Sequence, residues 1–144
     1  MPTVVRSRTI DAPRERVWEI VSDPYHLPRW WPAVERVEDV SDEAWTTVAT
    51  SSRGRAVRFD WSRIYFEPPE RIVWRQELTQ TPFERFLRES LTGVILQPGE
   101  HTTTVELRTV RKLRGLARFG GIQMRRAARH ELDAALDQLE AVMT

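Results

Sequence analysis

One long apolar stripe at the C-terminal end constrains the fold more than any other feature of this sequence. Met124, Ala128, Leu132, Ala135, Leu136, Leu139, Val142 and Met143 recur at three- and four-residue intervals, the repeat of one helix face. The spacing predicts a single amphipathic helix over about Ile122–Met143, and its apolar side needs a surface to cover it. The chain ahead of it reads as strands. Strand-like runs cover Thr3–Ile10, Val34–Val40, Ala44–Ser51, Arg55–Phe66, Arg71–Thr79, Arg85–Gln97 and Thr102–Arg111. Credible turns separate the last six, at Ser41-Asp42, Arg53-Gly54, Pro68-Pro69, Thr81-Pro82 and Pro98-Gly99. At the last of these, proline presets φ and glycine is expected to take φ > 0. Two short helices fit between the first run and the meander. Pro13 suits a first helical position ahead of Val17, Trp18, Ile20 and Val21, and Asp23-Pro24 repeats the start signal before Leu27, Trp30 and Trp31. One helix laid on one face of an antiparallel meander is a two-layer α+β core.

Composition narrows the function classes. The 144 residues suit one domain. No apolar run approaches the ~20 residues that span a bilayer. The N-terminus shows no basic stretch followed by an apolar segment, so no signal peptide is expected, and a cytoplasmic location is. With no cysteine, disulfide scaffolds, thiol catalysis and thiolate zinc sites are excluded together. A net charge of +1 argues against a specific nucleic-acid binder. Arginine outnumbers lysine 21 to 1 and asparagine is absent, a bias associated with GC-rich bacterial coding. Six tryptophans stand out, since each is large, amphipathic and wants a partner for its N–H.

The opening residues carry a resemblance. Ile10-Asp11-Ala12-Pro13-Arg14-Glu15-Arg16-Val17-Trp18, then Ser22-Asp23-Pro24 and Leu27-Pro28-Arg29-Trp30-Trp31-Pro32, resemble the start of the START-like superfamily. That group includes bacterial polyketide cyclase/dehydrase and lipid-transport proteins and the birch-pollen-allergen fold. The motif covers about residues 8–34, whereas the element order matches over the whole chain. The resemblance implies a helix-grip fold. In it a seven-stranded antiparallel curved sheet wraps around the long C-terminal helix, with two short helices after the first strand. It also implies that residues 1–144 form a single START-like ligand-binding domain whose cavity takes a hydrophobic or amphipathic small molecule, lipid- or polyketide-like.

Alternation assigns the inward face of each central strand. Val57, Phe59, Trp61, Arg63 and Tyr65 are expected inside, as are Ile72, Trp74 and Gln76. On the next two strands the inward sets are Leu87, Glu89, Leu91 and Ile95, and Thr103, Val105, Leu107 and Thr109. The resemblance places Trp30 and Trp31 at the cavity lip, one facing the cavity and the other packing at the surface, with Leu132 and Leu136 facing the cavity from the helix. Hairpin spacing puts Arg63 opposite Trp74 and Trp74 opposite Glu89, so the two charges would flank one ring about 9–10 Å apart. Buried charges are costly unless paired, so these two are an internal ion pair or polar contacts to a ligand, unless a register slip puts one of them in solvent.

No catalytic or cofactor motif is legible, and no cofactor or metal site is expected. His26, His101 and His130 are scattered, and His130-Glu131 lacks a second histidine because position 134 is Ala134. Gly115 to Gly120 has phosphate-loop spacing, but Gly121-Ile122 stand where Lys-Ser/Thr is required. The tail is electrostatically odd. Arg111, Lys112, Arg114, Arg118, Arg125, Arg126 and Arg129 precede and open the helix, and Glu131, Asp133, Asp137 and Glu140 close it, the reverse of what the helix dipole favours. The basic stretch over residues 111–129 reads either as solvated arginines or as a patch for a weak anionic partner.

Three functions are therefore carried forward. The first is a binding protein for a small hydrophobic ligand. The second is a polyketide cyclase, aromatase or dehydratase, with Arg63, Tyr65 and Glu89 as candidate donors or acid–base groups. The third is a protein- or membrane-interaction module using the basic tail. Ligand identity and oligomeric state are not legible.

Overall fold

Each turn signal closes an antiparallel pair, and the pairs join into one sheet. The computed structural model describes residues 3–144. Strand β1 (Thr3–Ile10) is followed by helix α1 (Arg14–Val21), a 3-10 turn at Pro24–His26 and the short helix α2 (Leu27–Trp30). Then come β2 (Arg36–Glu38), β3 (Ala44–Thr50), β4 (Ala56–Glu67), β5 (Arg71–Gln76), β6 (Leu87–Pro98) and β7 (Thr103–Leu113). A 3-10 segment, Gly115–Gly120, leads into α3, the 23-residue helix Gly121–Met143. The seven strands are ordered β1-β7-β6-β5-β4-β3-β2, a meander with the first strand folded back beside the last. This is the helix-grip arrangement.

Local chemistry accounts for the element ends. Pro13 stands one place earlier than expected, at the N-cap of α1, where its carbonyl accepts from Arg16 N at 3.1 Å and Val17 N at 3.2 Å. The Asp23 carboxylate accepts from Tyr25 N at 3.0 Å, satisfying a donor that would otherwise be orphaned. Gly54 takes φ 77° in the β3–β4 turn. Gly99, by contrast, does not adopt positive φ, contrary to the sequence expectation. A Cβ there would stand 2.4 Å from Thr102 Oγ1 and 3.4 Å from Thr102 O, so a larger residue would have to turn the Thr102 hydroxyl aside.

The α3 stripe is buried as its spacing requires. Ala128, Leu132, Ala135, Leu136, Leu139 and Met143 join Ile10, Val94, Leu96, Val105 and Leu107 in one core. The helix packs on β1, β7 and α2, to one side of the sheet. Its reversed charge pattern is half explained by this seat. Asp133 pairs with Arg6 at 3.3 Å, Asp137 and Glu140 pair with Arg8, and Glu131 pairs with Arg111 at 2.7 Å. The hydrogen bond from Arg8 to Asp137 raises the guanidinium pKa above its ordinary value, against the opposing effect of burial. The acids of α3 thus face the arginines of β1 and β7.

Three registers depart from simple alternation. Arg63 lies opposite Trp74 as expected, but a bulge follows it, and Tyr65 pairs with Val73. The extra residue turns Tyr65 to the outer face, 41% exposed, and puts Phe66 on the face shared by Arg63 and Ile72. Trp74 lies opposite Thr92 and not Glu89. The β5–β6 connection is no tight hairpin: Leu78–Thr81 turns, and Thr81 Oγ1 caps a 3-10 turn at Pro82–Arg85 by accepting from Phe83 N. The resulting slip of an odd number of residues exchanges the faces of β6 from Glu89 onward, while a bulge between Leu87 and Glu89 in the β6–β7 pairing keeps Leu87 inside, as expected. Ser90, Thr92, Val94 and Leu96 are buried, while Glu89, Leu91 and Ile95 face out.

Candidate functional site

Because α3 sits over β1 and β7, the concave face of β3–β5 is not covered by the helix stripe. Aromatic rings stand there instead. They surround a cavity of about 270 Å³ between the sheet, α2 and the start of α3. Two aromatic chains meet there, the first reaching the cavity through Trp31 and Trp74 and continuing into the core through Trp30 and Trp45. In one, Trp31 meets Trp30 edge-on at 5.2 Å and Trp74 at 6.3 Å, and Trp74 meets Trp45 at 5.9 Å. In the other, Phe83 stacks on Phe59 at 4.9 Å and contacts Phe86 at 5.9 Å. Offset and edge-on contacts such as these fix ring orientation and add to the gain from burial.

A few polar groups interrupt this lining. Trp61 lines the cavity and donates its indole N–H to Thr47 Oγ1 at 3.0 Å. Gln76, opposite Trp61 on β5, is buried at 6% exposure, and Thr92 lies opposite Trp74 on β6. Gln76 Nε2 has no hydrogen-bond partner among the described residues. At one end the Arg111–Glu131 pair crosses from β7 to α3. An apolar cavity with a small number of placed polar groups is the usual form of a small-molecule site.

The twelve residues singled out from the sequence separate into three sets. Phe59, Trp61, Trp74 and Gln76 line the cavity. Trp30, Val105, Leu132 and Leu136 are fully buried in the core rather than on the cavity wall, and of the two lip tryptophans it is Trp31 that lines the cavity. The remaining four lie elsewhere. Arg63 shares the inward face, but its guanidinium rests 3.8 Å above the Phe66 ring, and Phe66 in turn packs on Trp18. Tyr65 is on the outer face, hydrogen-bonded to Glu67 and covered by Arg71. Glu89 faces out and pairs with Lys112 at 3.5 Å, so no Arg63–Glu89 ion pair exists. Leu91 faces out beside it. The three candidate acid–base groups Arg63, Tyr65 and Glu89 are therefore not brought together at the cavity.

Several lining residues are not expected from the sequence: Thr47, Phe83, Phe86, Thr92, Arg111 and Glu131. Arg111 and Glu131 had a usable signal. Arg111 continues the inward series Thr103, Val105, Leu107, Thr109 by one more step, and Glu131 follows the buried Ala128 by three residues on the helix. Phe83 and Phe86 sit on an irregular connection, where no periodicity marks a face.

Comparison with known proteins agrees with this architecture. The model of the family described as polyketide cyclase / dehydrase and lipid transport matches residues 1–144. Among solved structures, a START superfamily protein from Mycobacterium smegmatis superposes with TM-score 0.79 at 16% identity, over 98% of this chain and 96% of that one. The di-domain ARO/CYC BexL from the BE-7585A biosynthetic pathway gives TM-score 0.79 at 23% identity, over 98% of this chain and 46% of that one. The di-domain ARO/CYC StfQ from the steffimycin biosynthetic pathway gives 0.78 at 15% identity, over 99% of this chain and 50% of that one. The chain thus spans about half the length of each di-domain protein. No protein of curated function matches the sequence.

Proposed function

Because this chain belongs to the polyketide cyclase/dehydrase and lipid transport family, we propose that its aromatic cavity binds a small, flat, apolar molecule that presents one hydrogen-bond acceptor to Gln76. The observation that carries this reading is the Gln76 amide, buried among aromatic rings with Nε2 unpartnered. An unmet buried donor costs about 1–3 kcal/mol, and a ligand carbonyl or hydroxyl at that point would recover part of it. The faces of Trp31, Trp61 and Trp74 supply apolar area of the shape a ring system needs. At about 270 Å³ the cavity is just below the ~300 Å³ at which typical ligand pockets begin, which favours a few fused rings over a long extended chain.

A second reading is catalytic, and Glu131 favours it. Its carboxylate is on the cavity wall, held by Arg111. A bound poly-ketone chain folded against the aromatic walls would gain from orientation alone, and Glu131 is the group placed to accept a proton.

Both readings meet in one experiment. Native mass spectrometry of the purified protein should show a co-purified small molecule that is lost in Trp74→Ala. Quenching of tryptophan emission should report rebinding of ring-containing ketones. Turnover of a bound ketone that stops in Glu131→Gln with binding intact would select the catalytic reading. Failure of a broad panel of lipids and aromatic polyketides to bind would overturn both.

A further inference from the structure

The acidic half of α3 finds its partners on β1 and β7; the basic half does not. Around the first turns of the helix lies a second and larger groove, of about 620 Å³, between the ends of β6 and β7, the Gly115–Gly120 segment and α3. Five cations line it, and no carboxylate does. Arg111 and Lys112 are paired with Glu131 and Glu89. Arg88, Arg118 and Arg125 have no carboxylate within 4.0 Å among the described residues, and Arg125 Nε is buried without a hydrogen-bond partner. Arg118 is held by its own segment, donating from Nε to Gly115 O at 3.1 Å. The first turn of α3 has no acidic residue and no side-chain cap, so the helix dipole adds to the positive potential.

The same groove has an apolar side. Phe119 and Ile122 line it yet stand 84% and 78% exposed, and Met124 and Ala128 lie beneath. Large apolar side chains this open are out of place on a purely solvated charged face, and a ring of unpaired guanidinium groups is out of place on a purely apolar one. One ligand chemistry answers both. We propose that this groove is a second binding site, separate from the aromatic cavity, for a single-chain amphiphile with a phosphate or carboxylate head. Arg88, Arg118 and Arg125 hold the head, and Phe119, Ile122 and Met124 cover the start of the chain. Planar guanidinium groups are suited to both anions because they can bind them through two N–H donors at once. The two sites share a wall, since Arg111 and Met124 line both.

The test is calorimetric titration of the whole protein with dodecyl phosphate below its micelle concentration, beside dodecanol, inorganic phosphate and phosphatidylglycerol vesicles. The triple variant Arg88→Gln, Arg118→Gln, Arg125→Gln removes the unpaired cations without breaking any ion pair, and an unchanged melting temperature checks its fold. Dodecyl phosphate should bind at least about tenfold more weakly to the triple variant, the loss of about one charge-assisted hydrogen bond. Its affinity should also fall as salt rises from about 50 to about 200 mM, and it should be retained in Trp61→Ala. Equal affinity for dodecanol, or no change in the triple variant, would overturn the anionic head. Equal affinity for inorganic phosphate would overturn the amphiphile. Loss of binding in Trp61→Ala would move the probe into the aromatic cavity, and binding to vesicles alone would make the patch a membrane-facing surface and overturn the site.

Discussion

Gln76 is the residue at which stability and binding are set against each other. Its Nε2 is buried with no partner among the described residues, so replacing the amide with an apolar group of similar size removes a cost. Gln76→Leu is therefore expected to raise the free energy of unfolding by about 1 kcal/mol in urea melts. The same change should weaken binding of a ring-bearing ketone by about tenfold, the loss of one neutral hydrogen bond of ~1.4 kcal/mol. Falling stability with unchanged affinity would contradict both halves. Tyr65 and Glu89 give the complementary case, because the β4 bulge and the β6 register put them on the outer face. Tyr65→Phe and Glu89→Gln are expected to leave ketone binding unaltered and to move stability by no more than about 0.5 kcal/mol.

At the scale of elements, α3 and the edge strand β2 show what pairing does that propensity does not. The acids late in α3 oppose the helix dipole, yet each sits against an arginine of β1 or β7. The two effects have opposite signs, so one variant decides between them. Asp137→Asn should lower stability by a few tenths to about 1 kcal/mol if the Arg8 pair dominates, and raise it if the dipole does. The geometry favours the pair, and raised salt should narrow the difference between variant and parent. On β2, hydrogen bonds from Arg36 and Arg58 hold the Glu38 carboxyl below the usual carboxylate range. A depressed acid stabilises the fold above its unfolded pKa and loses that contribution as pH falls through its folded pKa. The stability difference between the parent and Glu38→Gln should accordingly be present at neutral pH and vanish on acidification, as thermal melts across an acid pH series would show. The same scale explains which registers were legible. The Arg63–Trp74 pairing follows from the sequence because Pro68-Pro69 closes a short turn between long alternating runs. Trp74–Thr92 does not follow, because the chain between β5 and β6 leaves the sheet for a 3-10 turn whose length no periodicity reports. An odd slip there reversed the faces of β6 from Glu89 onward, and with them the placement of Glu89 and Leu91.

For the whole molecule, the decisive fact is where the long helix rests. The apolar stripe shows in sequence that α3 must be covered, but not that it lies over β1 and β7 rather than over the middle of the sheet. That seat brings the arginines of β1 and β7 to the acids of α3, contacts across 20 to 132 positions of sequence that local patterning cannot show. Arg111 and Glu131 tie sheet to helix at the edge of the opening, 2.7 Å apart and only 18% and 32% exposed. Removing one partner leaves the other partly buried and unpaired, whereas removing both leaves an apolar wall. Arg111→Met and Glu131→Leu are each expected to cost about 1–3 kcal/mol in chemical denaturation. The double variant should cost less than the sum of the two by at least about 1 kcal/mol, as a direct interaction requires. Strictly additive costs would mean that the pair does not hold the helix at this distance from the sheet, and that the aromatic walls alone keep the cavity open.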